Sequence, residues 1–244
     1  IVLAAVKSND LALEYASDEL KADKEIIVAA QGLIYSCLKY ASYELRSDRD
    51  LVVEALKKST SVIGYISEEL RADKEIVLPA IRKDGFYFSY LNNHLMADRE
   101  VVLAACMSNG CALEYADKKF LEDREIIFAA AKSNPNALQY LNGSIKSEKE
   151  LALPFVRNCG SMLEHVSDEL KADREVVLEA VKNSGGALEY ATNVLKDDRE
   201  VVLEAVKNFG GALCFASKHL RSDREIILTA VKSNGYALED AIMH

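Results

Sequence analysis

The stretch Val176–Glu200 reads VVLEAVKNSGGALEYATNVLKDDRE, and Val201–Glu225 reads VVLEAVKNFGGALCFASKHLRSDRE. The two align without a gap, and the same 25-residue pattern recurs through all 244 residues. Ten copies result: 1–25, 26–50, 51–75, 76–100, 101–125, 126–150, 151–175, 176–200, 201–225 and a shortened 226–244. A short fixed period is the mark of a repeat architecture, in which each unit packs on its neighbours and length sets the number of units. Columns are numbered by place within a copy, so Asp173 and Asp198 both occupy column 23.

Column 23 is Asp in every complete copy except Glu148, column 24 is Lys or Arg, and column 25 is Glu apart from Asp50. An acid, a base and an acid ahead of an apolar run such as Ile26-Ile27-Val28 predict a helix start. Asp is a strong N-cap and Glu in the first turn suits the positive end of the helix dipole. Ser47, Ser147 and Ser222 before the acid add the expectation of a capping box. Apolar residues then fill columns 1, 2, 3, 5 and 6, a face broad enough for a helix covered by the copies before and after it. Column 5 is Ala in every copy but one, where Phe155 stands, which suits two backbones approaching closely. Gly85, Gly110, Gly160, Gly185, Gly210 and Gly235 occupy column 10, where a C′ glycine would stop the helix.

Ala12, Leu13, Ala16 and Leu20 and their copies are spaced for a second, shorter amphipathic helix. The expected fold is therefore all-α: a solenoid of ten 25-residue helix-turn-helix repeats forming one array over 1–244, a curved rod or superhelix. Stacked straight at helix spacing, ten units would span roughly 80–100 Å. The string L-E-Y-A-S-x-E-L-K-A-D-[KR]-E-[IV]-[IV]-L-x-A-[IV]-K-x-N-G resembles the tandem repeat known as domain of unknown function 4116, over all ten copies. That resemblance implies a long helical array and no activity.

Composition narrows the function classes. A net charge of −9 repels a phosphate backbone unless bases are segregated on one face. The longest weakly polar run, Ile26–Leu38, is too short to span a bilayer. The chain opens within a helix pattern and without Met, so it reads as a segment of a longer protein. Cys37, Cys106, Cys111, Cys159 and Cys214 fall in five different columns, which is no disulfide framework and no zinc spacing. Small apolar cysteines in a reducing, intracellular compartment are expected.

No catalytic constellation stands out, so no enzyme activity, cofactor or metal is expected. The column Tyr15, Tyr40, Tyr65, Tyr90, Tyr115, Tyr140, His165, Tyr190, Phe215 and, in the shortened last copy, Asp240 reads as rings packed copy on copy with their hydroxyls at a wet rim. His94, His219 and His244 share a column but lack companion ligands for a metal. An alternative function is nucleic-acid binding along the basic column Lys7, Lys57, Arg82, Lys132, Arg157, Lys182, Lys207, Lys232. The favoured expectation is a non-catalytic scaffold or structural subunit that binds protein partners, because identical columns build the rod and departures carry what is specific. The departures singled out are Leu33, Ile34 and Tyr35, and Phe86 and Tyr87, with Pro79 and Pro154 expected to break or bend their helices.

Overall fold

The computed structural model describes residues 1–29 and 37–241, without the side chains of Asp10 and Ala29. Every regular element among them is helical. One long helix occurs in each copy: α1 (Val2–Ser8), α2 (Lys24–Ala29), α3 (Arg49–Lys58), α4 (Lys74–Lys83), α5 (Arg99–Ser108), α6 (Arg124–Ser133), α7 (Lys149–Asn158), α8 (Arg174–Asn183), α9 (Arg199–Asn208) and α10 (Arg224–Ser233). The chain forms two compact units, Ile1–Lys118 and Lys119–His244. Within each, consecutive long helices pack side by side, as α4 on α5 and α8 on α9 do.

The starts of these helices follow from column 23. The Asp98, Asp123, Asp173, Asp198 and Asp223 carboxylates each accept from two backbone N–H groups of the first turn, such as those of Glu200 and Val201 on Asp198 at 3.0 and 3.1 Å. Those are donors with no partner inside the helix. Glu148, one methylene longer, makes no such cap. The expected capping boxes do not form: the caps are Asp48, Glu148 and Asp223, while the Ser147 and Ser222 hydroxyls donate backwards to the carbonyls of Gly143 and Lys218.

The helix ends differ from expectation. From α3 onward the C-cap is column 9, in extended backbone with φ between −142° and −153°, as at Ser184 and Asn134. Gly185 and its equivalents come one residue later and open a 3-10 turn. Their glycine is a stacking requirement, as shown below, and not a left-handed helix stop.

The second helix is also two pieces. Gly160–His165 and Gly185–Tyr190 are 3-10 turns, and after an extended residue such as Val166 a one-turn helix follows, as Asp168–Lys171. The break has a local and a non-local cause. Column 17 supplies an N-cap, with Ser67, Asn92, Asn142, Ser167 and Ser217 accepting from the N–H of column 20. Its own N–H is spent on the copy before: Ser67 donates to Arg46 O at 3.0 Å and Ser217 to Lys196 O at 2.9 Å. A continuous helix would need that donor for itself.

Pro79 and Pro154 do not interrupt their helices. α4 and α7 each run ten residues, the same as α8. The proline ring removes one hydrogen bond without changing the register.

The core of each unit is the apolar columns read from the sequence. Leu13, Ile63 and Phe88 are fully buried in the first unit, and Leu138, Leu163, Leu188 and Leu213 in the second.

Candidate functional site

Two sets of contacts recur between neighbouring copies within the units and account for most of the repeated polar residues. In the first, the column 10 glycine lies against the carbonyl of the Ala in column 5 of the next copy. A Cβ built on Gly85, Gly160, Gly185 or Gly210 would sit 2.3 Å from the oxygen of Ala105, Ala180, Ala205 or Ala230. The glycine N–H then donates to column 8 of that next copy: Gly185 to Asn208 Oδ1 at 2.7 Å, Gly160 to Asn183 Oδ1 at 2.8 Å, Gly85 to Ser108 Oγ at 3.0 Å. Asn208 Nδ2 returns a bond to Lys182 O at 3.0 Å, so the amide clips two copies with both ends.

In the second set, the column 24 base reaches forward to the acids on either side of the next base. Lys74 contacts Asp98 at 2.8 Å and Glu100 at 2.9 Å, and Lys149 contacts Asp173 and Glu175, both at 2.8 Å. Arg124 contacts Glu148 at 2.9 Å and Glu150 at 3.3 Å; Arg49, Arg174 and Arg199 make the corresponding pairs. Asp48, Asp73, Asp98, Asp173, Asp198 and Asp223 therefore each cap their own helix and receive the base of the copy before. Arg174's hydrogen bond, opposed by partial burial and aided by the Val201 N–H, holds the Asp198 carboxyl below the usual carboxylate range. At Asp98 and Asp173 burial is the largest single influence and pushes upward, but the lysine bond and the two N–H groups outweigh it and the carboxyls are again lowered. Asp198 and Glu200 raise the Arg174 guanidinium through hydrogen bonds and charge.

The sequence reading missed this ladder, although its signal was present. A base flanked by two acids in every copy, repeated at a fixed period, puts each base opposite the next pair.

The predicted contact residues divide. Phe86 is 62% exposed, and its ring meets the half-buried Tyr87 edge-on with centroids 5.4 Å apart. Tyr90 extends the cluster, 5.9 Å from Tyr87, and lies over Gly64, whose missing Cβ would be 3.3 Å from the ring. Burial pushes the Tyr87 hydroxyl up. Leu33, Ile34 and Tyr35 lie outside the described residues. The tyrosine column is exposed to half-buried along its length, from Tyr15 at 87% to the half-buried Tyr190.

The basic column is exposed but interleaved with acid. Lys57 pairs with Glu54, Arg82 with Glu100, Arg157 with Glu179, Lys182 with Glu179 and Lys207 with Glu204. Among the described residues no group of three His, Cys, Asp or Glu could hold a metal ion, and no helix is long and apolar enough to cross a membrane. None of the five cysteines is in a disulfide; burial pushes the Cys106 thiol up to about 12.

The profile of a domain of unknown function, DUF4116, matches residues 1–30, 33–71, 73–121, 98–146, 123–171, 148–196 and 198–242. The chain belongs to the DUF4116 family. The matches overlap in tandem, as a repeat of about 25 residues requires. No curated protein and no solved structure matches this DUF4116 chain.

Proposed function

We propose that this DUF4116 chain is a non-catalytic scaffold, an α-solenoid whose copies stack throughout and present an extended surface to protein partners. The observation that carries the reading is the use made of the repeated polar residues. The column 23–25 acids and bases, the column 8 amides and hydroxyls and the column 10 glycines are turned to a neighbouring copy. What remains outward and particular is apolar and aromatic, led by Phe86 beside Tyr87. Exposed aromatics of this kind are the side chains that anchor protein interfaces.

Nucleic acid is disfavoured by the carboxylates that pair with five of the eight bases of column 7. A photo-crosslinking residue at Phe86 in the full chain should label a partner protein in native lysate. The same residue at Tyr15 should leave that partner unlabelled. Equal labelling from both positions, or loss of no partner in Phe86→Ser/Tyr87→Ser, would overturn the reading. A salt-titrated mobility shift with a DNA or RNA oligomer should show no binding even at low salt.

A further inference from the structure

One junction departs from the rule in three places at once. Between α3 and α4, Thr60 stands where six other copies have glycine, Lys83 stands where the Asn or Ser clip stands, and Pro79 replaces the usual Glu or Ala of column 4. At Gly85, Gly160, Gly185 and Gly210 a Cβ would strike the neighbouring carbonyl at 2.3 Å, so Thr60 denies Ala80 that approach. Lys83, being a donor only, cannot accept the Thr60 N–H as Asn208 accepts that of Gly185. The helices α3 and α4 accordingly touch along far less of their length than α4 and α5. A cleft of about 200 Å³ opens between them.

The cleft has an apolar floor and a basic end. Val53, Leu56, Ile76, Pro79 and Ala80 line it, with Lys57 and Lys83 from the last turns of the two helices and Glu75 from the first turn of α4. Glu75 is occupied by Arg49 at 3.2 Å, and Lys57 by Glu54 at 2.6 Å. Lys83 has no carboxylate within ion-pair distance among the described residues. Cations at a helix C-terminus are favoured by the dipole. That does not explain Lys83, because column 8 is Ser or Asn in seven other copies. Here a structural hydrogen bond has been exchanged for exposed positive charge, on a chain whose net charge is −9.

We propose that the α3–α4 cleft is a docking site for an acidic amphipathic segment of a partner protein, which seats an apolar side chain on Leu56 and Pro79 and sets a carboxylate against Lys83. Charge complementarity selects an acidic partner, and the apolar floor selects a peptide over a phosphate backbone, which has nothing to bury there. The inference rests on the protein-scaffold reading and adds to it a second place and a partner chemistry.

The test is selection of displayed random peptides on the full chain. Enriched peptides should carry Asp and Glu around an apolar residue. They should bind at least roughly tenfold more weakly to Lys83→Glu and to the double variant Thr60→Gly/Lys83→Asn. The double variant restores the residues of the other copies, so it should remain folded by circular dichroism while closing the cleft. Phe86→Ser should leave the binding unchanged. The proposal is overturned if no peptide is enriched, if the enriched set is not acidic, or if both cleft variants bind as the native chain does. It is also overturned if a single-stranded DNA oligomer binds instead and is lost in Lys83→Glu. Binding lost only in Phe86→Ser would sink the cleft and leave the scaffold standing.

Discussion

The α8–α9 and α3–α4 junctions use the same columns with opposite results. Gly185 against Ala205 lets two backbones meet, and Asn208 ties them; Thr60 against Ala80 holds them apart, and Lys83 ties nothing. A third junction, between α6 and α7, also lacks glycine, with Pro135 in its place. There the Ala of column 5 has become Phe155, fully buried. At α6–α7 the helices still pack along their length, whereas α3 and α4 do not and a cleft is left between them.

Acid should produce the largest effect, because it reaches every junction together. The ladder carboxyls of Asp48, Asp73, Asp98, Asp173, Asp198 and Asp223 are all lowered in the fold. Their contribution is complete above the unfolded value of about 3.9 and is lost as pH falls through the lower folded values. The melting temperature by circular dichroism should hold near neutrality and drop below about pH 4; a flat profile to pH 2.5 or so would remove the ladder from the energetics.

Substitutions separate the junctions. Gly185→Val should cost toward the upper end of about 1–3 kcal/mol in denaturant unfolding, because a backbone must move. Thr60→Val should cost distinctly less, and equal costs would erase the distinction. Ala80→Phe, which copies Phe155, should gain about 0.5–2 kcal/mol by filling the cleft, with loss of stability as the contrary result. Asn208→Ala should cost about 0.5–1.5 kcal/mol for its hydrogen bonds, whereas Lys83→Ala should stay within about 0.5 kcal/mol. The smallest change is Glu148→Asp, which supplies the missing cap and should raise stability by about 1 kcal/mol or less. No gain would mean that the carboxylate is worth more to Arg124, at 2.9 Å, than to the helix.

What could be read from the sequence was local. Asp198 before an apolar run announces a cap within three residues, and the columns of Val201, Val202 and Ala205 announce a buried face; both stand in the structure. What could not be read acts across copies. Gly185 meets the carbonyl of Ala205 and the side chain of Asn208, so nothing beside it in sequence says why it must be glycine. The same holds for the second helix, whose break at Val166 and Ser167 depends on the Lys146 carbonyl of the copy before. Phe86 and Tyr87 were legible as departures because they are aromatic. Thr60 and Lys83 were not, since neither is unusual by itself and only stacking brings them together.

The forward reach of the column 24 bases carries a consequence for how such a chain can change. Lys149 finds Asp173 and Glu175 by the same reach with which Lys74 finds Asp98 and Glu100. A whole copy duplicated or excised in frame leaves every remaining base facing the pair of acids it expects. The coupling also has a direction, since base always points toward the following acids, so an inverted copy would find no mate. Arrays built this way can lengthen or shorten by interchange of like parts while the order of threading stays fixed.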